Sequence, residues 1–326
     1  MNEERYSRQI AVPQFGSAGQ RRLSKSRVVM VGAGGLGCVV APLLVGAGVG
    51  EITVVDHDQI ALSNLHRQTL FSEAEVGLAK ASCMADTLRA LNSRVVVNDR
   101  VIRCGPGNVD ELLTSAAVVI DAADNFPLSY LLSDACERHA IPLVAASVNR
   151  TYGYLGVFCG PAECQLPSFR AVFPKVPDTP LSCDVVGVTG PSVAAIGAVQ
   201  AQETLKYLLG NPPRAQLWQF ELWDYNVLCV DVAGALAPSE GRVEFISADQ
   251  VHDHWVIDVR EPDEVQDAPL PFAHVIHQPL SQLNVSAPIE NDKPWVFACK
   301  SGQRALAAAQ RLASRGNASF VLLPSD

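Results

Sequence analysis

The sequence predicts an α/β protein: a doubly wound, mostly parallel sheet over residues 1–232, a linker over 233–242 and a second, smaller α/β domain over 243–326. Three observations predict it. Gly32, Gly34 and Gly37 form G-x-G-x-x-G directly behind the apolar run Val28–Val31, and a helix-length apolar run follows. A second apolar strand ends in Asp56, 24 positions beyond Gly32, and a third in VVIDAADN (Val118–Asn125) ends in acidic residues. After residue 232 the composition shifts to small residues, Pro and Gly in AGALAPSEGR, and a fresh strand–helix pattern begins.

Val28–Val31 suits a buried parallel strand. The glycines behind it allow a sharp turn and close approach to an anion. The helix that follows offers free N–H groups and the positive end of its dipole. Asp56, closing the next strand, is placed to accept hydrogen bonds from ribose hydroxyls. These residues alone fit an NAD-binding domain as well as any other nucleotide site.

Five later positions favour a triphosphate. Asn64 and Arg67 follow Asp56, Lys80 stands in VGLAK, and Asp124 and Asn125 close the third strand. A dinucleotide holds its pyrophosphate largely with backbone N–H groups. A triphosphate under attack needs cations on the developing oxyanions and a carboxylate for Mg²⁺. Arg67, Lys80 and Asp124 supply that set, with Asp124 as the expected metal ligand. Each of the two cations alone would read as a solvated surface charge.

With these motifs in order, the sequence resembles the MoeB/ThiF/HesA group, the bacterial relatives of ubiquitin-activating enzymes. RYSRQI, VGAGGLG, DHDQIALSNLHRQTLF, VGLAKA, DAADN and GVTGPSVAAIGAVQAQETLKYLLG carry the resemblance, which runs from Glu4 to about residue 230. It implies a Rossmann-like fold and ATP-dependent adenylation of the C-terminal glycine of a small ubiquitin-like sulfur carrier ending in Gly-Gly. By the same resemblance, Gly34 and Gly35 lie against the nucleotide, Asp56 holds the ribose, and Ser63, Asn64, Arg67 and Lys80 face the phosphates. Asp124 binds Mg²⁺ beside Asn125. Arg8 reaches the active site of a second copy in a homodimer.

Composition agrees with a cytoplasmic enzyme. Apolar residues make up 48% of the chain and charged ones 18%. The longest uncharged apolar stretch, residues 36–50, is broken by Gly and Pro and is too short to span a bilayer, so no membrane partner is expected. MNEERYSRQ is too polar for a secretory signal. A net charge of −9 argues against nucleic acid as the main partner. Nine scattered cysteines fit reduced thiols.

Relatives of this group commonly bind structural zinc through two C-x-x-C pairs. Here Ser168 and Ala171 stand at the first pair, and Cys229 alone follows the last strand of that region. Cys159 and Cys164, five apart, do not replace two tight pairs, so no structural zinc is expected. Cys38, Cys83, Cys104 and Cys136 lie in apolar patterns and read as core. Cys183, in LSCDVVGV, precedes a glycine turn and a long helix expected over about 191–209. In the ThiF branch a cysteine there resembles the one that forms an acyl disulfide with the carrier. A spectator thiol is the other reading of Cys183.

In the second domain, the strand Ile257–Glu261 and then PWVFACKSGQR deliver Cys299 into a loop with a helix immediately behind it. Successive N–H groups turn toward the sulfur, and Arg304 and the helix dipole add positive charge, a pocket suited to a thiolate or persulfide. The pattern resembles a single-domain rhodanese. Cysteine phosphatases use C-x5-R, one residue longer than the C-x4-R here. The domain stops early, at VLLPSD, so its core is expected to depend on docking to the first domain.

Together these readings predict adenylation of a carrier, with a ThiS-like carrier preferred and the molybdopterin carrier as the alternative. Sulfur transfer from Cys299 would follow, directly or through Cys183, with a cysteine desulfurase or similar persulfide donor upstream. ATP and Mg²⁺ are the expected cofactors. An NAD-dependent oxidoreductase and a non-catalytic carrier-binding scaffold are the rival classes.

Overall fold

Short β-branched runs flanked by glycine turns build the first sheet. The computed structural model describes residues 3–176, 186–237, 242–252, 254–283, 294–313 and 319–323. In chain order, α1 (Glu3–Ile10) and α2 (Gly16–Leu23) precede β1 (Arg27–Val31), α3 (Gly35–Ala47), β2 (Glu51–Val55), α4 (Lys80–Leu91) and β3 (Val96–Arg100). Then come α5 (Val109–Leu113), β4 (Val118–Asp121), α6 (Phe126–His139), β5 (Pro142–Asn149) and β6 (Tyr152–Cys159). The helices α7 (Phe169–Val172) and α8 (Gly190–Leu208) lead to β7 (Gln216–Glu221) and β8 (Asn226–Asp231).

The eight strands lie in the order β3-β2-β1-β4-β5-β6-β7-β8. The first five are parallel, and β6, β7 and β8 pair antiparallel beyond them. Every residue of β4 is buried, as a strand covered on both faces requires. The strand order reverses between β1 and β4, and an open α/β sheet binds its ligand in the crevice at such a point.

A second sheet holds β9 (Glu244–Ile246), β10 (Trp255–Asp258), β11 (Val275–His277), β12 (Trp295–Ala298) and β13 (Ser319–Leu322). It is parallel throughout, in the order β11-β10-β12-β13-β9. Here α9 (Pro262–Asp267) follows β10 and α10 (Gln303–Ala313) follows β12. The strand expected over Ile257–Glu261 ends at Asp258. Its continuation folds back, because the Arg260 guanidinium donates to both carboxylate oxygens of fully buried Asp258. The long helix expected from Pro191 starts one residue earlier, capped by the Thr189 hydroxyl.

The two sheets share one hydrophobic core. Leu132 and Phe169 of the first region join Ile257, Phe297 and Leu306 of the second in a continuous buried cluster. Arg170 rivets the seam. Its Nε and Nη2 each lie 2.8 Å from an Asp134 carboxylate oxygen, and Nη2 also donates to the Val243 carbonyl at 3.0 Å. The guanidinium sits 4.5 Å from the Tyr130 ring centre and 5.3 Å from that of Phe245. Ser168, at the position where zinc-binding relatives carry a thiolate, caps α7 by accepting from the Ala171 N–H.

Breaking a buried pair from one side is costly because the other charge stays buried. Arg170→Met should therefore lower stability by about 3 kcal/mol, read as the shift of the urea midpoint. Adding Asp134→Leu should return much of that loss. A single variant as stable as the parent would show that the seam does not depend on this pair.

Candidate active site

The turn after β1 is built so that no side chain fits where it crosses β4. Gly32 has φ +105°, and a Cβ there would stand 2.6 Å from the backbone of Ala122. A Cβ on Gly37, in the first turn of α3, would lie 2.3 Å from the Gly32 carbonyl oxygen. Glycine at both positions leaves the turn tight and its face open. That face borders a cavity of about 220 Å³ lined by Gly34, Gly35, Asp56, Arg67, Lys80 and Asp124, among others.

Asp56 stitches this turn to the end of β2. One carboxylate oxygen accepts from the Ala33 N–H and the other from the Asp58 N–H, each at 2.7 Å. Burial pushes its carboxyl above the ordinary range, while Lys80 and these two N–H groups pull the other way. Lys80, the first residue of α4, is buried and donates to Asp58 at 2.9 Å. Burial raises the Asp58 carboxyl too, but the Lys80 bond and charge, with His57, hold it below its usual value.

The 62–68 segment closes one side. Arg67 and Gln68 donate their N–H groups back to the Asn64 carbonyl, and all three residues line the cavity. Gln68 is 3% exposed, and its Oε1 has no hydrogen-bond partner. The sequence gives no reason to single Gln68 out. What marks it is its burial, which no local pattern encodes.

Asp124 is exposed just beyond β4, and Asn125 caps α6 by accepting from the Leu128 N–H. Behind them, Asp121 is 1% exposed and receives hydrogen bonds from the Ser129 hydroxyl and the Ala123 N–H. Burial pushes the Asp121 carboxyl up to about 6; those two hydrogen bonds oppose it and the nearby Asp124 charge adds to it.

A second cavity, about 420 Å³, adjoins the first, and Asp124, Asn125 and Ser147 border both. Arg150, Tyr152 and Phe220 also line it, and the Asn149 Oδ1 beside it is buried without a partner. Gln303 of α10 contributes to the second cavity; Ser301 and Leu323 contribute to the first. Cys299 follows β12, half-buried, and its Sγ accepts from the Ala305 N–H at 3.4 Å. Arg304 pairs with Glu264 through both guanidinium ends and also faces the Cys299 sulfur. That pairing holds the Glu264 carboxyl down at about 2.

Not every expected residue lies at the cavities. Gly37 supports the turn from behind, Ser63 sits exposed in the neighbouring turn, and Arg8 is on an exposed part of α1. Cys183 falls outside the described residues. Cys38, Cys83, Cys104 and Cys136 are buried, as expected of core thiols. Cys159 is buried against Ser133, and Cys229 lies on the exposed β8 edge. No helix among the described residues is long and apolar enough to cross a membrane.

The residues present fit a nucleoside triphosphate with a divalent cation. A side-chain-free turn at a helix start suits phosphate, Arg67 and Lys80 supply cations, and Asp124 is a hard oxygen donor for Mg²⁺.

Residues 6–237 match the model of the ThiF family, and residues 244–323 match that of the rhodanese-like domain. Adenylyltransferase and sulfurtransferase MOCS3 of Aedes aegypti is 42% identical over 209 residues, covering 64% of this chain and 47% of that protein. The chain thus spans about half the length of that relative. The protein of the same name from Xenopus laevis is 34% identical over 335 residues, 90% of this chain and 72% of the other. Sulfur carrier protein adenylyltransferase of Thermus thermophilus is 42% identical over 211 residues, 64% of this chain and 78% of the other. Among solved structures, E. coli MccB with ATP matches in fold at TM-score 0.60 and 22% identity, covering 73% of this chain and 74% of that one.

Asp121 sets a pH signature. A carboxyl raised in the folded state keeps a proton there that the unfolded chain has already released. Its contribution is present below about pH 4, falls as pH rises towards 6, and is lost above that. Stability measured against pH should therefore fall for the parent relative to Asp121→Asn between about pH 4 and 6, then run parallel. A constant difference across that window would refute the assignment.

Proposed function

The chain belongs to the ThiF family, and from that premise we propose that it adenylates the C-terminal glycine of a small ubiquitin-like sulfur carrier and then transfers sulfur to it from Cys299. The observation that carries the reading is the pair of adjoining cavities with Asp124 and Asn125 between them. The first has the glycine turn, Arg67 and Lys80 for a triphosphate. The second is the less polar chamber that an extended Gly-Gly tail would enter, with Asn149 and Arg150 as polar partners for its carbonyls and carboxylate.

In the first step, a carboxylate oxygen of the tail attacks the α-phosphorus of ATP. The P–O bond to the β-phosphate breaks, and pyrophosphate leaves with the electron pair. Arg67 and Lys80 balance charge on the oxygens that gain it, and Asn64 and the turn N–H groups orient the phosphates. Asp56 receives the ribose hydroxyls. Mg²⁺ held by Asp124 would draw charge from the phosphate oxygens.

Sulfur enters as a persulfide on Cys299, loaded by a desulfurase-type donor. Its terminal sulfur attacks the acyl carbon, the C–O bond to AMP breaks, and AMP leaves with the electron pair. A second thiol then attacks Cys299 in the resulting acyl disulfide. The carrier is released as a thiocarboxylate, and Cys299 remains in a disulfide with that thiol until a further thiol reduces it. Cys183 is one candidate for the second thiol, and a small cytoplasmic thiol is another. Arg304, already anchored by Glu264, adds positive charge beside the sulfur.

A reduced cytoplasm suits these thiols, and a homodimer in which Arg8 serves the neighbouring copy completes the reading. The preference for a ThiS-like carrier rests on Cys183. The molybdopterin carrier is the alternative substrate to assay beside it.

Two measurements test this. ATP–pyrophosphate exchange should depend on a Gly-Gly carrier and fall about 100-fold or more in Asp124→Ala. Exchange with no carrier, or an Asp124→Ala protein as active as the parent, would sink the adenylation reading. Separately, thiocyanate formation from thiosulfate and cyanide should vanish in Cys299→Ser; an unchanged rate would remove Cys299 from the sulfur step.

A further inference from the structure

We propose that the 299–304 loop of the second sheet is itself a wall of the acyl-adenylate site, with Ser301 contacting the nucleotide and Gln303 the acyl group. One chain then adenylates its carrier and supplies the sulfur without the two sheets separating. This rests on the adenylation reading above and assigns to it binding residues from the far end of the chain.

The placement is the first argument. Ser301 and Leu323 border the cavity that holds the glycine turn and Arg67. Gln303 borders the adjoining one, with Asp124, Asn125 and Arg150. The loop thus covers both chambers at the point where phosphate and acyl group would meet, and Cys299 lies two residues behind Ser301.

The loop is also held there. Gly302 has φ +80°, and a Cβ on it would fall 2.4 Å from Leu323 and 3.4 Å from the Pro127 ring in the first turn of α6. Its backbone therefore lies directly against the helix whose cap, Asn125, borders both cavities. Farther along α10, the Gln310 Oε1 accepts from the Val176 N–H at 3.1 Å, and Arg170 grips the Val243 carbonyl ahead of β9. These contacts and the shared core set the loop's position by packing rather than by a tether alone.

Each chamber is also lined by a residue that has a buried, unanswered polar atom. For the first it is Gln68 Oε1, on a side chain almost wholly buried, and for the second Asn149 Oδ1. A buried acceptor without a donor is costly. Two of the four such atoms among the described residues thus belong to residues that line these cavities.

Hydrogen–deuterium exchange of the full-length protein, with and without a non-hydrolysable ATP analogue and Mg²⁺, tests the proposal. A shared wall predicts exchange at 299–305 slowed roughly fivefold or more, alongside protection at 32–37 and 64–68. Ser301→Trp, which fills the first chamber, should weaken the analogue roughly tenfold. Protection at 32–37 and 64–68 without change at 299–305, together with parent-like affinity in Ser301→Trp, would overturn the shared wall and leave the ATP reading standing. No protection anywhere would overturn both.

Discussion

The crossing of two backbones at the reversal of strand order is the constraint on which the rest of the structure depends. The Gly32 turn passes so close to Ala122 that a single added carbon would lie 2.6 Å from that backbone. Because β1 and β4 lie side by side there, the turn at the end of one and the acidic tail of the other border a single cavity. Asp56, just beyond β2, then ties the turn down through the Ala33 N–H. The cavity's floor is therefore backbone, held by main-chain geometry that a substituted side chain elsewhere does not easily move. Only its rim is made of side chains, and that is where chemical identity enters.

The second sheet depends on the first in a different way. Its β12 and α10 bury Phe297 and Leu306 against α6 and α7, so its core is completed by the larger region. Small domains bury too little surface to be comfortable alone, and sharing a core answers that problem. Arg170 adds direction to an otherwise greasy seam. A guanidinium between two rings, bonded to Asp134 and to the Val243 carbonyl, permits one register of β9 and not its neighbours. Where relatives carry zinc-binding thiolates, this chain has a capping serine and, two residues on, this arginine, so the segment is fastened by charge and aromatic packing.

What could be read in the sequence follows from how local each feature is. The glycine turn, Asp56, Asn64, Arg67, Lys80 and Asp124 were legible because strand–turn–helix geometry acts within a few residues and leaves a fixed spacing. The Cys299 loop was legible for the same reason. The antiparallel run of β6, β7 and β8 left no comparable mark, and the strand expected to reach Glu261 stopped at Asp258 because Arg260 turned back on it. Arg170 stands in a segment that reads, in sequence, only as a place where thiols are missing. Ser301 and Gln303 were beyond sequence reasoning for a plain reason. They meet Asp124 and Asn125 through docking across more than 170 positions, and no local pattern encodes docking.

Charge in the cavity is arranged to be exchanged. Lys80 is buried, and an unpaired ammonium there would be expensive. Its partner Asp58 is about half exposed, so that carboxylate can return to water at small cost when a phosphate takes its place. A buried partner would have been a different matter, since releasing it would strand a second charge. The pairing thus keeps the Lys80 charge answered and leaves the cation available. Asp121 completes the balance from below, because burial keeps it protonated more readily than an ordinary carboxyl. Near neutral pH its charge returns, directly behind Asp124, and strengthens the local demand for a cation at that end of the cavity. Positive charge is therefore wanted at the β4 end and supplied at the Arg67 and Lys80 side, which is the polarity that a phosphate chain carrying its own metal ion would match.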